Sequence, residues 1–361
     1  MPIKETWLQQ VREEAIDPDL PIIDAHHHLW FVAPAPVLRS YDYLEGDYVR
    51  DATSGHNIIA SVYVECRNVL RTSAPEHLWP ASETAWVNEI AERRTRETRG
   101  APVVASAIVG FADLTMGEQV EEVLRAHLAA APARFRGVRQ ISNSSDSPAV
   151  VGRSQTSPAH RLLDPAFRRG FARLAQHDLS FDAWLYHPQL PELIDLARAF
   201  PETRIVLDHL GAPLGAGSYA DRRREAFDEW RSSIRELARC DNVFMKLGGS
   251  GMHMFGFGWE HRALPPTSDE LVAATRDYYL TAIDAFSPSR CMFESNFPVE
   301  KERCSAAVLW NSFKKIVAEF SLDERADLFM NTAAQVYRLS GLQNVARSHS
   351  CARHWAHEHG G

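Results

Sequence analysis

Eight short runs rich in aliphatic and β-branched residues recur along the chain, most of them followed by a stretch of helical period. No other feature constrains the fold as much. The runs are PIIDAH (21–26), IIASVYVE (58–65), VVASAIVG (103–110), FRGVRQIS (135–142), LSFDAWLY (179–186), RIVLDH (204–209), NVFMKL (242–247) and RCMFES (290–295). The intervals carry helical patterns, among them SETAWVNEIAERRTRE from Ser82, PELIDLARAF from Pro191 and SDELVAATRDYYLTAIDAF from Ser268. Strands alternating with helices pair in parallel through right-handed crossovers. Eight such units predict a closed α/β fold, the (β/α)8 TIM barrel, as a single domain with long βα loops over residues 1–342. Residues 343–361, with His349, His354, His357 and His359, read as a flexible tail. An open doubly wound sheet is the alternative, but no G-x-G-x-x-G follows the first run.

Charge and cysteine usage narrow the class. The 39 Lys and Arg against 47 Asp and Glu give a net charge of -8, without the basic footprint of a nucleic-acid binder. Five scattered cysteines with no C-x-x-C pair fit a reducing compartment. No apolar run approaches the ~20 residues of a membrane span. The first residues, MPIKETWLQQVREE, show no secretory h-region. The expectation is a cytoplasmic protein acting on a small molecule, with no nucleic-acid or membrane partner; a homo-oligomer is left open.

In a (β/α)8 barrel the residues just after each strand form the functional face. Long or unusual segments collect there: 31–56 after the first run, 142–163 after the fourth, and GSGMHMFGFGWEHRALPP after the seventh. The strand ends are also ionisable. They carry His26-His27-His28, Glu65, Arg139, His187, Asp208-His209, Lys246 and Glu294-Ser295-Asn296. Buried charges are costly unless paired or metal-bound, so a barrel without a site has no use for such a ring. Strict alternation puts Asp24, His26 and His28 on one face, toward the lumen, and His27 on the other. Two same-face imidazoles suit one ion or one oxyanion. The other residues have structural readings as well: His187 before Pro188 as a hydrogen-bonded strand end, Arg139 as a bridge to Glu65, and Lys246 as a snorkelling side chain.

Four segments together, Asp24-Ala25-His26-His27-His28-Leu29-Trp30, Val206-Leu207-Asp208-His209-Leu210-Gly211, Asn242-Val243-Phe244-Met245-Lys246-Leu247 and Ser295-Asn296-Phe297-Pro298-Val299, resemble the amidohydrolase-2 family. These are TIM-barrel hydrolases whose lactonase-like branch opens sugar lactones and pyrone dicarboxylates. The resemblance covers about residues 20–342. It implies that His26 and His28, with His187, hold one divalent metal ion, zinc being favoured by the His-rich ligation, or contact substrate directly in metal-free members. It also implies that His209 contacts substrate or shuttles a proton.

The departure lies at the eighth strand, where the family's general base is an Asp and this chain has Asn296. An amide cannot take a proton near neutral pH. Glu294 shares its face about 6–7 Å deeper, and either supplies the missing carboxylate or pairs with Lys246 or Arg139. His209, Glu294 and Asn296 are the catalytic candidates; Glu65, Arg67, Arg139 and Lys246 are the substrate-binding ones, with the two arginines suited to a substrate carboxylate. The implied reaction is hydrolysis of a small lactone or ester-like bond. Metal-dependent non-oxidative decarboxylation of a small acid is the runner-up, and a non-catalytic binder the third reading.

Overall fold

All eight strands form, in one parallel sheet whose order follows the chain. They are β1 (Pro21–His27), β2 (Asn57–Val64), β3 (Val103–Gly110), β4 (Phe135–Arg139), β5 (Ser180–Ala183), β6 (Ile205–Leu207), β7 (Val243–Leu247) and β8 (Cys291–Phe293). The computed structural model describes residues 3–31, 41–68, 72–97, 102–152 and 156–339. The expected tail at 343–361 lies outside the described residues, as do 32–40 and 153–155 of the two long excursions. The later strands end earlier than their apolar runs because the runs continue into the loops that bear the polar residues.

The barrel closes between its first and last strands. Asn296 N–H donates to the His26 carbonyl at 2.8 Å, His28 N–H donates to the Phe297 carbonyl at 2.7 Å, and a parallel bridge joins His27 to Phe297. Helices Glu45–Ala52 (α1), Pro80–Glu97 (α2), Val120–Ala130 (α3), Pro165–Phe171 (α4), Leu190–Ala199 (α5), Arg223–Leu237 (α6), Ser268–Phe286 (α7), Ala306–Ile316 (α8) and Thr332–Val336 (α9) cover the outside. None of the described helices is long and apolar enough to cross a membrane. Two apolar layers result. Outward residues such as Ile22, Tyr63, Ile108, Phe181, Leu207 and Phe293 meet the helices. Inward residues including Ile23, Ala25, Val62, Val109, Val206, Phe244 and Met292 fill the barrel floor together with Met330, Ala333 and Tyr337 from the last helical segment.

The strand phase of β1 differs from strict alternation at one point. Asp24 pairs with Ser61 and His27 with Tyr63, three steps on β1 against two on β2, so β1 carries a bulge. The extra residue turns His26 and His28 into the lumen while Ile23 and Ala25 keep their inward places. His27 points outward as expected, stacked on Tyr48 with ring centroids 3.9 Å apart. Asp24, expected in the lumen, is instead on the His27 side. Its carboxylate accepts from Ser295 N–H at 2.7 Å, Ser295 Oγ at 2.6 Å and Tyr48 OH at 3.0 Å, fastening β1 to the segment after β8.

Removing that acceptor strands three buried donors, each costing about 1–3 kcal/mol. Asp24→Ala should therefore lower the unfolding free energy by about 3 kcal/mol or more, measured by denaturant titration. A loss within a few tenths would show that the seam does not depend on this carboxylate.

Candidate active site

His26 lies at the centre of a fully buried polar cluster. Its Nε2 is 3.3 Å from His28 Nε2 and 3.4 Å from Arg139 Nη1. Its Nδ1 is 3.0 Å from Glu294 Oε2, 3.2 Å from Lys246 Nζ and 3.5 Å from Asp208 Oδ1. Burial, reinforced by the Lys246 charge, holds the His26 ring well below the usual histidine pKa. His28 Nδ1 donates to the Val64 carbonyl at 2.8 Å, which fixes its ring against β2. His209 follows β6, and its Nδ1 donates to Glu294 Oε1 at 2.5 Å. Trp184 packs edge-on against the His209 ring, with centroids 4.8 Å apart. Burial alone would raise the Glu294 carboxyl, yet the His209 and His26 rings beside it bring it down to about 2.

Below this level runs a chain of ion pairs. Lys246 Nζ contacts Asp182 Oδ2 at 2.6 Å and Asp208 Oδ1 at 3.1 Å, and Tyr337 OH donates to Asp182 at 2.8 Å. Burial works against the Lys246 charge, but Asp182, Asp208 and Glu294 together raise its pKa. Arg139 Nε donates to Glu65 Oε1 at 2.9 Å, its Nη2 reaches the Glu65 carbonyl, and its Nη1 lies 3.8 Å from Asp208. Arg67 is at the rim, about a third exposed, 3.5 Å from Glu65 and with its guanidinium 3.4 Å over the Phe111 ring. In the lumen cluster, counting formal charges, four buried carboxylates (Glu65, Asp182, Asp208, Glu294) face two buried cations (Arg139, Lys246), while Arg67 approaches Glu65 from the rim. The buried part of this cluster thus carries a formal excess of two negative charges, costly at low dielectric without a compensating cation.

His26, His209 and Glu294 are the one group among the described residues whose donor atoms approach closely enough, within 4.8 Å of one another, to hold a metal ion. His187 is not brought to it. Its Nδ1 accepts from Leu214 N–H at 3.1 Å and its Nε2 faces Glu229 at 3.6 Å, so its ring fastens the loops after β5 and β6. Those loops form an apolar wall over the mouth, where Trp184 and Leu214 join Met252, Met254 and Phe255 of the aromatic segment after β7.

Two buried polar side chains of the segment after β8 have unused capacity. Asn296 has φ 52°, a left-handed conformation that asparagine tolerates. Neither its Oδ1 nor its Nδ2 has a protein partner among the described residues. Glu300, four residues on, is fully buried with Oε1 unpartnered, while Oε2 accepts from Gly251 N–H at 2.9 Å. Sequence reasoning misses Glu300 because it lies beyond the strand, and Asp182 because a lone mid-strand Asp looks incidental. Asp182 was findable: it alternates with Phe181 and Ala183, which face the helices.

The comparisons agree with this architecture. The family model described as "Amidohydrolase" matches residues 23–339. The chain belongs to the amidohydrolase family. It is an enzyme of that type, 32% identical over 337 residues to a protein designated y4mH from Sinorhizobium fredii, with 89% of this chain and 99% of that one covered. It is 28% identical over 326 residues to an L-fucono-1,5-lactonase of Burkholderia multivorans, covering 88% of this chain and 96% of that one. A crystal structure of an amidohydrolase from Burkholderia multivorans with bound zinc superposes at TM-score 0.67 and 25% identity, covering 88% of this chain and 99% of that one.

The ion-pair chain generates a test. Lys246→Met leaves Asp182 and Asp208 buried without their cation, and breaking one side of a buried pair costs about 3–5 kcal/mol. Adding Asp182→Asn should restore part of that loss in a denaturant-based double-mutant cycle. Strict additivity would show that the two residues do not depend on each other.

Proposed function

We propose that the protein hydrolyses the ring ester of a small neutral, hydroxyl-bearing lactone, with one divalent metal ion, zinc in this reading, held by His26, His209 and Glu294. The observation that carries the substrate class is the spending of cations. Arg139 is engaged by Glu65 and Lys246 by Asp182 and Asp208, so the buried cations of the lumen are already neutralised. A substrate carboxylate would find both buried cations of the lumen already paired, which disfavours a dicarboxylate lactone and an acid awaiting decarboxylation. A polyol lactone adds none, and the unpartnered Asn296 amide offers one donor and one acceptor to its hydroxyl or carbonyl groups. The relative named L-fucono-1,5-lactonase agrees with this class.

The metal reading rests on the donor set and the charge. Two imidazoles and a carboxylate are ordinary zinc ligands, and one divalent cation offsets the two surplus negative charges. Bound there, such an ion polarises a carbonyl and acidifies water. The chain's own residues do the rest. Glu294 stays ionised and orients His209 through Nδ1. Arg139 and Lys246 hold the walls, and Trp184 with the segment Met252–Phe255 restricts water at the mouth.

A panel of aldono-lactones read by proton release, alongside aryl acids read by CO2 release, tests the reaction. Lactone turnover without CO2 is expected; CO2 release, or neither product, overturns it. His26→Ala and Glu294→Gln should lose bound metal by elemental analysis, whereas His187→Asn should keep it. Active wild-type enzyme that is consistently metal-free would make the histidines direct substrate contacts. Asn296→Ala should lower kcat/KM about 5- to 10-fold, the weight of one hydrogen bond.

A further inference from the structure

Lactone hydrolysis needs a group that takes a proton from water and returns one to the leaving ring oxygen. In the reading above His26 and His209 are taken up as ligands, and the amide and carboxylates nearest the cluster centre are unsuited. Asn296 cannot accept a proton. Glu294 has one oxygen on His209 and the other on His26, and is held strongly acidic between them. Glu65 is pinned by Arg139, and Asp208 lies against Lys246.

Glu300 differs from all of these. It is fully buried, its Oε2 is anchored by Gly251 N–H, and its Oε1 has no partner among the described residues. The backbone after β7 places it beside the cluster. A Cβ on Gly248 would collide with Glu294, one on Gly249 with the His209 ring, and one on Gly251 with the Glu300 carboxylate. Three positions of a four-residue stretch are thus glycine where the chain passes along Glu294, His209 and Glu300 in turn. Gly249 and Gly251 are two residues apart, a span of at most about 7 Å, so one short turn packs against His209 at one end and Glu300 at the other. The Glu300 backbone N–H also donates to the Asn296 carbonyl at 3.2 Å, so a single backbone turn joins the two residues.

We propose that Glu300 is the acid–base residue of the site, acting through Oε1, a role that rests on the lactonase reading above. The water oxygen bonds to the carbonyl carbon, whose π pair moves to the carbonyl oxygen, as one water proton passes to Oε1. That pair then re-forms the carbonyl while the bond from carbon to the ring oxygen breaks, its electron pair stays on the ring oxygen, and Oε1 returns the proton there. The product is a hydroxy acid, whose carboxyl ionises and releases one proton to solvent. The surroundings favour such a proton carrier. Burial lifts the Glu300 carboxyl to about 7, against the lowering influence of Arg303 and His209 and with Glu294 pushing upward. The buried Tyr279 phenol on α7 and the Cys304 thiol also feel its charge, and burial raises the pKa of both. A base works in its ionised form, so kcat/KM should fall as pH drops through the neutral region and level off above it.

The test is Glu300→Gln, which keeps an oxygen for Gly251 N–H. The variant should hold its fold and metal content, lose ~10²–10⁴-fold in kcat on the lactone the wild type turns over, and lose the acid limb of the pH profile. Activity within a few-fold of wild type, or an acid limb that persists, overturns the assignment while leaving the lactonase reading standing. Wild-type enzyme that opens no lactone overturns that reading, and this role with it. Should the Gln variant fail to fold, Glu300→Asp carries the test. It should retain the limb at reduced kcat, and loss of the limb with a carboxyl still present overturns the role.

Discussion

The balance of charge inside the barrel is the constraint on which the rest of the structure depends. Four carboxylates and two cations occupy a space with no solvent to screen them, and each pair stands only because its partner is in place. Lys246 is the hub: it touches Asp182 below, Asp208 beside it and His26 above. Tyr337 extends the network to the last helical segment, so the element that plugs the floor is hydrogen-bonded to the same Asp182 that neutralises Lys246. Floor, wall and site share one set of electrostatic contacts, and none is free to shift alone.

Much of this was legible from sequence, for a physical reason. A parallel barrel strand is buried on both faces, so it reads as a short apolar run, and the eight runs map onto the eight strands in order. The ionisable strand ends stand out because burial makes them expensive, and His26, His28, Glu65, Arg139, His209, Lys246 and Glu294 do come together. Phase was less legible. Alternation assigned Asp24 to the lumen, but the bulge in β1 leaves it outside, where it closes the barrel through Ser295 and Tyr48. A bulge depends on how the neighbouring strand registers, and no local pattern on β1 announces it. His187 illustrates the same limit. A histidine at a strand end is visible in sequence, but whether its nitrogens meet an ion or a backbone N–H depends on the path of a loop from another strand.

The bulge also explains how three consecutive histidines coexist. His26 and His28 need polar company, whereas His27 is buried against Tyr48 and Tyr63, with Nε2 at 3.0 Å from Ser61 Oγ. Burial holds His27 far toward the neutral form, at about 3, so it adds no charge beside the pair across the strand. The run of imidazoles is thus two environments separated by one backbone, not a single cluster of three.

The eighth strand shows how a carboxylate's surroundings set its chemistry. Glu294 follows β8 directly and lies among His26, His209 and Lys246, and the buried Asn296 follows two residues on, in a left-handed conformation outside the strand. At Glu294 the neighbouring rings hold the acid ionised, which suits holding a cation or orienting an imidazole and ill suits carrying a proton back and forth. With an amide at 296, a proton carrier must enter from beyond the strand, carried by the turn that follows. Glu300 meets that requirement. It is reached through the same turn that seals β1 to β8, and it is buried enough to hold its proton near neutrality without a histidine to pin it.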